Sequence, residues 1–261
     1  MTGELLPNRE PRRLSADSLA VEVYPNRQEL GKAAAHTVAD WLRHALATRE
    51  RVAAIFASAP SQEEFLAALV TEPGVDWSRV VAFHLDEYVG LPHDAPQSFA
   101  QFLRQRLFDK VRPGAVHYLD GLEDPQHACR RYADLLASNP LAVACIGIGE
   151  NGHLAFNDPH VADFADPFLV KPVEIDEVSR TQQVHDGCFA RIDLVPRLAL
   201  TVTMPAIFAA ERIAVMVPGP TKARAVQATL QGPIATACPA SILRRHPHAV
   251  LFVDEPAASL V

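Results

Sequence analysis

Seven short apolar runs spread along the chain are the feature that most constrains its fold. They are rich in Val, Ile and Ala and do not alternate with polar residues, which is typical of strands buried on both faces of a parallel sheet. The runs begin at Leu19, Arg51, Arg79, Leu141, Leu198, Arg212 and Ala249. Apolar residues at helical spacing occupy residues 28–47, 61–70, 97–111, 126–137 and 222–230. This alternation predicts an α/β fold with a Rossmann-like, doubly wound, mostly parallel sheet and helices on both faces.

Length and composition fit one folded domain. The chain has 261 residues, of which 49% are apolar and 21% are charged, proportions of a globular enzyme rather than a disordered chain. We expect residues 1–16 to be a mobile or loosely docked leader and residues 17–261 to be a single α/β domain.

Charge and cysteine spacing argue against several classes of protein. The 24 basic and 31 acidic residues give a net charge of −7, whereas nucleic acid or an anionic membrane as main partner would favour a basic face. No apolar run approaches the roughly 18 residues of a membrane-spanning helix, and the first residues contain no apolar signal core. The four cysteines lie too far apart for a zinc pattern or a disulfide framework. The sequence therefore predicts a cytoplasmic protein with reduced thiols.

Two adjacent acids, Asp86 and Glu87, follow the strand that begins at Arg79. Ligands of doubly wound sheets bind beyond the carboxyl ends of the strands, so these acids are candidate site residues. Successive residues point to opposite sides, and we expect only one of the two to face a ligand. The alternative is a loop in which an acid caps a helix or forms a surface ion pair, and the local sequence favours neither interpretation.

A glycine-rich segment, GIGENGHLAFNDP at residues 147–159, follows the strand that begins at Leu141. Its glycines let the backbone turn sharply and approach a ligand, but their spacing does not match the dinucleotide-binding fingerprint. His153 lies in this turn, near Asp158 in sequence, and an imidazole oriented by a carboxylate can act as acid or base near neutral pH. A histidine in such a position is more often structural, but the glycines beside it favour a function.

Two further turns offer donors for an anion. Lys222, one of only four lysines, lies at a strand-to-helix turn, where free N–H groups and the helix dipole favour a phosphate. The alternative is an ordinary exposed lysine. Ser58 and Ser61 follow the strand that begins at Arg51, and their hydroxyls suit either a helix cap or a phosphate.

Together these segments resemble the glucosamine-6-phosphate deaminase family, which is related to the 6-phosphogluconolactonases. The resemblance is most specific at LDEYVGLPHDAPQSF (residues 85–99) and at GIGENGHLAFNDP, and it is weaker over residues 195–232. The order and spacing fit from about residue 20 to the end. Tyr88, Val89 and Gly90 follow the two acids, as in the deaminases, whereas the lactonases usually have an arginine there.

The resemblance implies a deaminating aldose–ketose isomerisation, in which glucosamine 6-phosphate and water give fructose 6-phosphate and ammonia, with no metal or redox cofactor. It implies that Asp86 moves a proton between C2 and C1 of the open-chain sugar and that His153, supported by Asp158, helps to open the ring. The predicted catalytic residues are Asp86, His153, Asp158 and Asn151, and the predicted substrate-binding residues are Ser58, Ser61, Gln62, Glu87, Gly152, Arg180 and Lys222. Family members range from monomers to larger assemblies, so a homo-oligomer is also compatible with the resemblance.

Three departures from the family pattern leave alternatives open. Asn151 stands where the family usually has an acid, and an amide cannot stabilise an imidazolium by charge; such a change can cost several orders of magnitude in rate. The turn SAPSQ at residues 58–62 replaces a glycine-rich phosphate turn, and Pro60 removes a backbone donor. The family's second phosphate-binding cation has only Arg180 as a candidate. A lactonase, an isomerase of another sugar phosphate and a non-catalytic sugar-phosphate sensor are therefore the alternatives.

Overall fold

The computed structural model describes residues 10–261, and an eight-stranded sheet forms its centre. The strands of this sheet are β1 (Arg12–Ala16), β2 (Leu19–Tyr24), β3 (Val52–Phe56), β4 (Val80–His84), β6 (Ala115–His117), β7 (Leu141–Ile146), β10 (Arg212–Val217) and β11 (Ala249–Asp254). Their spatial order is β1-β2-β11-β10-β7-β3-β4-β6, and all neighbours are parallel except β1 and β2. The predicted α/β class with a mostly parallel sheet is confirmed.

A second, antiparallel sheet stands apart from the first. It contains β5 (Asp86–Tyr88), β8 (Val170–Glu174) and β9 (Leu198–Val202) in the order β5-β9-β8. The apolar run at Leu198 was expected in the parallel sheet, and that expectation was wrong. An apolar run indicates burial but not the direction of the neighbouring strand, and here both neighbours are short segments that carry no apolar pattern.

Residues 12–16 belong to the edge strand β1, which pairs antiparallel with β2. We expected residues 1–16 to be a mobile or loosely docked leader, and the structure shows residues 12–16 of that segment as an exposed edge strand. The strand is exposed and mostly polar, and among the described strands it pairs with β2 alone, which explains why apolar patterning did not indicate it. Residues 1–9 lie outside the described part of the chain.

Helices cover both faces of the large sheet. They are α1 (Arg27–Thr48), α2 (Glu63–Thr71), α3 (Phe99–Leu103), α4 (Asp109–Val111), α5 (Pro125–Ser138), α6 (Glu177–His185), α7 (Met204–Phe208) and α8 (Ala223–Gln231). A π-helical turn, Arg104–Phe108, joins α3 to α4. The apolar side chains of α1 and α2 pack on one face, and those of α5, α7 and α8 pack on the other. No helix within residues 10–261 is long and apolar enough to cross a lipid bilayer.

The strands divide their side chains between the two cores. In β4, Val81 and Phe83 join one core, whereas Val80 and Ala82 join the other, as the two-residue period of a strand requires. Each fully buried aliphatic or aromatic side chain contributes about 1.5–3 kcal/mol of transfer free energy. Burial on both faces therefore accounts for the continuous apolar runs in the sequence.

The register brings the carboxyl ends of the central strands to one edge. Phe56, the last residue of β3, lies beside His84 of β4 and Cys145 of β7. The chain order reverses between β3 and β7, because β3 leads outward to β4 and β6, whereas β7 leads the other way to β10 and β11. Such a reversal leaves a crevice at the strand ends, where ligands bind in this class of fold.

Candidate active site

A cleft opens at this crevice, and Asp86, His153 and Lys222 all line it. Asp86 follows β4, His153 follows β7 and Lys222 follows β10. The loop after β3 and one face of α6 complete the walls. Three side chains from distant parts of the sequence therefore meet in one cavity.

The carboxyl group of Asp86 has no polar partner in the described residues. The side chain lies in β5, which pairs with β9, and only 8% of the residue is exposed. Burial, and then the neighbouring charge of Glu87, raise the pKa of Asp86 well above its ordinary range. A carboxyl group with free oxygens and a raised pKa is suited to accept and return a proton near neutral pH.

Glu87 points to the other side of β5 and does not line the cleft. Its carboxylate accepts hydrogen bonds from Ser98 Oγ (2.7 Å) and from the N–H groups of Tyr88 (3.0 Å), Phe99 (3.2 Å) and Ala100 (3.0 Å). Burial raises the pKa of Glu87, although these donors oppose the shift. The structure therefore places the carboxylate of Glu87 at the start of α3, outside the residues that line the cleft.

The imidazole of His153 lies directly over Gly149, and a side chain at that position would overlap the ring. Asn151 Oδ1 lies 2.7 Å from Nδ1 and also accepts the backbone N–H of His153 at 3.1 Å. Since Asn151 Nδ2 donates to Asp158 at 3.1 Å, the oxygen of the amide must face the ring. Nδ1 therefore bears the proton, and Nε2 of the neutral ring is left with a lone pair.

Asp158 is the charged support of this ring. It is fully buried, and its Oδ1 lies 3.1 Å from His153 Nδ1. Its Oδ1 also accepts the hydroxyl of Ser179, and its Oδ2 accepts the N–H of Asp176 at 2.9 Å. Burial alone would raise the pKa of Asp158, but the hydrogen bond and charge of His153 and these further donors hold it below its ordinary range. The carboxylate is therefore ionised and faces the side of the ring away from Nε2.

Lys222 places an ammonium group in the cleft without a counterion. The residue is 5% exposed, and its Nζ makes no hydrogen bond or ion pair with any residue between 10 and 261. Burial lowers its pKa, and the more distant charges of Asp186 and Glu150 offset part of the shift. A buried cation without a partner is unfavourable in the free protein, so the site is suited to receive an anion.

The turn before Lys222 is held by a carboxylate. Gly219 has a positive φ of 97°, a conformation that other residues rarely adopt. Its N–H donates to both oxygens of Asp254 at 2.9 and 3.1 Å, and Asp254 Oδ1 also accepts the N–H of Ala257 at 2.9 Å. Asp254 thus fixes the backbone that leads to Lys222.

The predicted phosphate turn after β3 is only partly exposed to the cleft. Ser58 and Ser61 line it, and Ser58 Oγ donates to the carbonyl of Phe99 at 3.2 Å. Gln62 does not line it: its Nε2 donates to Ser61 Oγ (3.1 Å) and to the carbonyl of Met216 (3.2 Å). Gln62 therefore holds Ser61 and the end of β10 together.

Two predicted substrate-binding residues lie away from the cleft. Gly152, with φ +85°, packs against Cys238, whose Sγ leaves no room for a side chain there. Arg180 Nη2 donates to the carbonyls of Ile192 (2.6 Å) and Val195 (3.0 Å). Arg180 therefore holds a surface loop in place, and Lys222 is the only lysine or arginine among the described residues that line the cleft.

Sequence reasoning missed two amides that line the cleft, Gln182 and Gln183 of α6. Gln182 Oε1 accepts the N–H of Glu150 at 2.8 Å, which ties α6 to the glycine-rich loop. Phe99 and Phe156 supply an apolar part of the wall. Only the position of Phe99 and Phe156 within the two most specific motifs marked them in the sequence.

The model of one protein family matches residues 25–252 of the chain, which is most of its length. That family is described as glucosamine-6-phosphate isomerases/6-phosphogluconolactonase. The chain belongs to this family.

Curated relatives of the chain support its assignment to the glucosamine-6-phosphate isomerase/6-phosphogluconolactonase family. A glucosamine-6-phosphate deaminase of Lactobacillus delbrueckii subsp. bulgaricus is 35% identical over 93% of this chain and 100% of its own length. One of Bacillus cytotoxicus is 37% identical over 71% of this chain and 70% of its own length.

Solved structures of the family have the same fold. A monomeric glucosamine-6-phosphate deaminase superposes with a TM-score of 0.84 at 29% identity, over 92% of this chain and 99% of its own. A 6-phosphogluconolactonase from Thermotoga maritima superposes with a TM-score of 0.74 at 19% identity, over 90% of this chain and 99% of its own, and at that identity it supports the fold alone.

Proposed function

We propose that the protein converts glucosamine 6-phosphate and water to fructose 6-phosphate and ammonia. The proposal rests on one observation: Asp86, His153 and Lys222 line a single cleft at the carboxyl edge of the sheet. The names of the similar deaminases support the choice of substrate.

In this proposal His153 opens the sugar ring. Its Nε2, left free by the contacts at Nδ1, exchanges a proton with the ring oxygen or the C1 hydroxyl of the pyranose. Asp158 is ionised and lies beside Nδ1, so it stabilises the positive charge that forms on the ring when Nε2 gains a proton. Asn151 and Asp158 would act by orienting the imidazole.

Asp86 then moves the proton. Its carboxylate takes the proton from C2 of the open-chain aldehyde while O1 gains a proton from solvent, which gives an enol bearing the amine. Asp86 then returns its proton to C1, and the nitrogen loses a proton to solvent. The product is a ketose imine, and addition of water across its C=N bond releases ammonia and leaves the ketone. Lys222 would hold the phosphate, assisted by Ser58 and Ser61, which line the same cleft.

The direct test incubates the purified protein with glucosamine 6-phosphate and measures both ammonia and fructose 6-phosphate, which we expect in equal amounts. A parallel panel contains galactosamine 6-phosphate and 6-phosphogluconolactone. Turnover of the lactone alone would replace the proposal with a lactonase. Ligand-induced thermal stabilisation without any product would replace it with a sugar-phosphate sensor.

The role of Asp86 has a separate test. Asp86→Asn keeps the shape of the side chain but removes the base, so we expect exchange of the C2 proton with D₂O to be lost while substrate binding remains. Proton exchange is followed by NMR and binding by calorimetry. Exchange at the wild-type rate would exclude Asp86 as the base.

A further inference from the structure

Ser179 lies behind the cleft, at the junction of a carboxylate and the imidazole. It is fully buried in α6 and does not line the cleft. Its hydroxyl donates to Asp158 Oδ1, and its Oγ lies 2.8 Å from His153 Nδ1. Because the hydroxyl proton is directed to the carboxylate, a lone pair of Oγ is free to accept Nδ1–H.

Three oxygens surround this N–H group, and they differ in charge. Asn151 Oδ1 lies 2.7 Å from Nδ1, Ser179 Oγ 2.8 Å and Asp158 Oδ1 3.1 Å. Only the most distant of the three belongs to a charged group. A hydroxyl that donates to a carboxylate becomes a stronger acceptor, since linked hydrogen bonds polarise one another. Ser179 therefore offers the ring a more negative partner than the amide of Asn151.

We propose that Ser179 is a positioning residue for His153, which holds Nδ1–H and transmits the charge of Asp158 to the imidazole through its hydroxyl. The inference rests on the proposed function, in which His153 gains and loses a proton. It also explains how a chain with an amide at position 151 keeps a polarised histidine.

The same helix makes two neighbouring contacts to the glycine-rich loop. Asp176, at the start of α6, donates its N–H to Asp158, and Gln182 accepts the N–H of Glu150. Positions 176, 179 and 182 are three residues apart and share one face of the helix. Ser179 is therefore held on both sides by contacts to the same loop, which fixes its hydroxyl relative to the ring.

Ser179→Ala removes none of the charged groups around His153. Asp158 contacts the ring, Asp86 and Lys222 line the same cleft, and Glu150 and Asp176 flank the loop and the start of α6. A change in the pH profile of Ser179→Ala therefore reports the lost hydroxyl rather than a lost charge.

The test compares Ser179→Ala with the wild type on glucosamine 6-phosphate. We expect kcat to fall about tenfold or more, the range for a lost hydrogen bond to a charged group, while KM changes less than about twofold. The limb of the kcat profile that reports protonation of the imidazole should move to lower pH. Ser241→Ala is the matched control, because within residues 10–261 that buried hydroxyl hydrogen-bonds only to the backbone of Ala235. The control should cost stability alone.

Repeating the test in an Asn151→Asp variant shows whether Ser179 acts by transmitting charge to the imidazole. In Asn151→Asp, an acid contacts Nδ1 directly, so adding Ser179→Ala should cost less than about threefold in kcat, because coupled residues are not additive. If the alanine variant does not fold, Ser179→Cys replaces it, because cysteine keeps the side-chain volume, and we expect the same shift of the kcat profile to lower pH. An unchanged pH profile, or the same fold-loss in both backgrounds, would overturn the inference. An inactive wild-type protein would instead overturn the proposed function.

Discussion

Replacing Lys222 with methionine should move stability and substrate binding in opposite directions. In the free protein Lys222 is 5% exposed, and its ammonium group has no partner within residues 10–261. Methionine has a similar length and is apolar, so Lys222→Met removes the cost of the unpaired charge and keeps most of the packing. The same substitution removes the only lysine or arginine that lines the described cleft.

The two effects have definable sizes. Relief of an uncompensated buried charge should raise the free energy of unfolding by about 1–2 kcal/mol, since the flexible lysine stem recovers part of the hydration. For a domain of this size that corresponds to a rise in Tm of about 2–8 °C. A lost charge-assisted hydrogen bond of about 1.5–3 kcal/mol should raise KM for a sugar phosphate roughly 10- to 150-fold.

Stability is measured by calorimetry with and without inorganic phosphate, and KM is measured with glucosamine 6-phosphate. Phosphate should raise the Tm of the wild type but not that of Lys222→Met. The pKa of Lys222 is lower in the folded than in the unfolded protein, so between the two values the unfolded chain binds more protons. The free energy of unfolding of the wild type therefore rises with pH between the folded and unfolded pKa values of Lys222. The stability gained by Lys222→Met should shrink over the same pH range.

Lys32→Met is the control, because Lys32 is exposed on α1 and, among the described residues, forms an ion pair with Glu29 of the same helix alone. It makes the same change in net charge and should alter neither Tm by more than about 1 °C nor KM, as expected of a surface pair. A Lys222→Met protein that is less stable than the wild type, or that keeps the wild-type KM, would refute the interpretation of Lys222 as an unpaired cation that awaits an anion.

Three other substitutions separate catalysis, folding and phosphate binding. Gly149→Ala places a methyl group on the imidazole of His153, so kcat should fall about 100-fold or more while calorimetry shows a folded protein. Glu87→Gln replaces the carboxylate that accepts hydrogen bonds at the start of α3, so the free energy of unfolding in urea should fall by about 1–3 kcal/mol with KM unchanged. A raised KM would indicate that Glu87 contacts the substrate. Asp254→Ala frees the N–H of Gly219, so KM should rise about three- to tenfold with little change in kcat, and an equal fall in both parameters would contradict a role in the phosphate turn.

The parts of the fold that bury apolar surface could be predicted from the sequence. The five helices indicated by apolar spacing begin and end within two residues of their observed bounds, and six of the seven apolar runs lie in the large sheet. Strands β1, β5, β6 and β8 could not be predicted, because they have three to five residues and depend on long-range pairing rather than on a pattern of their own.

The cleft residues that follow strands could be predicted from the sequence. The cleft residues on a helix that packs through polar side chains could not. Asp86, His153 and Lys222 each follow a parallel strand, and the geometry of the sheet brings such positions together. Helix α6 buries Ser179, Gln182 and Gln183 rather than an apolar stripe. Because the residues that α6 buries are polar, no apolar stripe marks this helix, and neither it nor its contacts to the cleft could be inferred from the chain alone.

The polar face of α6 gives the cleft wall and the histidine a common support. Gln182 and Gln183 line the cleft, and three residues of the same helical segment, Asp176, Ser179 and Gln182, hydrogen-bond to the glycine-rich loop. The bond from Glu150 to Gln182 contributes about 0.5–1.5 kcal/mol and the two bonds to the carboxylate of Asp158 about 1.5–3 kcal/mol each, which together is much less than the burial of the apolar side chains in the two cores. Weakening α6 should therefore disturb the orientation of His153 and the shape of the cleft together, well before the sheet and its two apolar cores lose their structure.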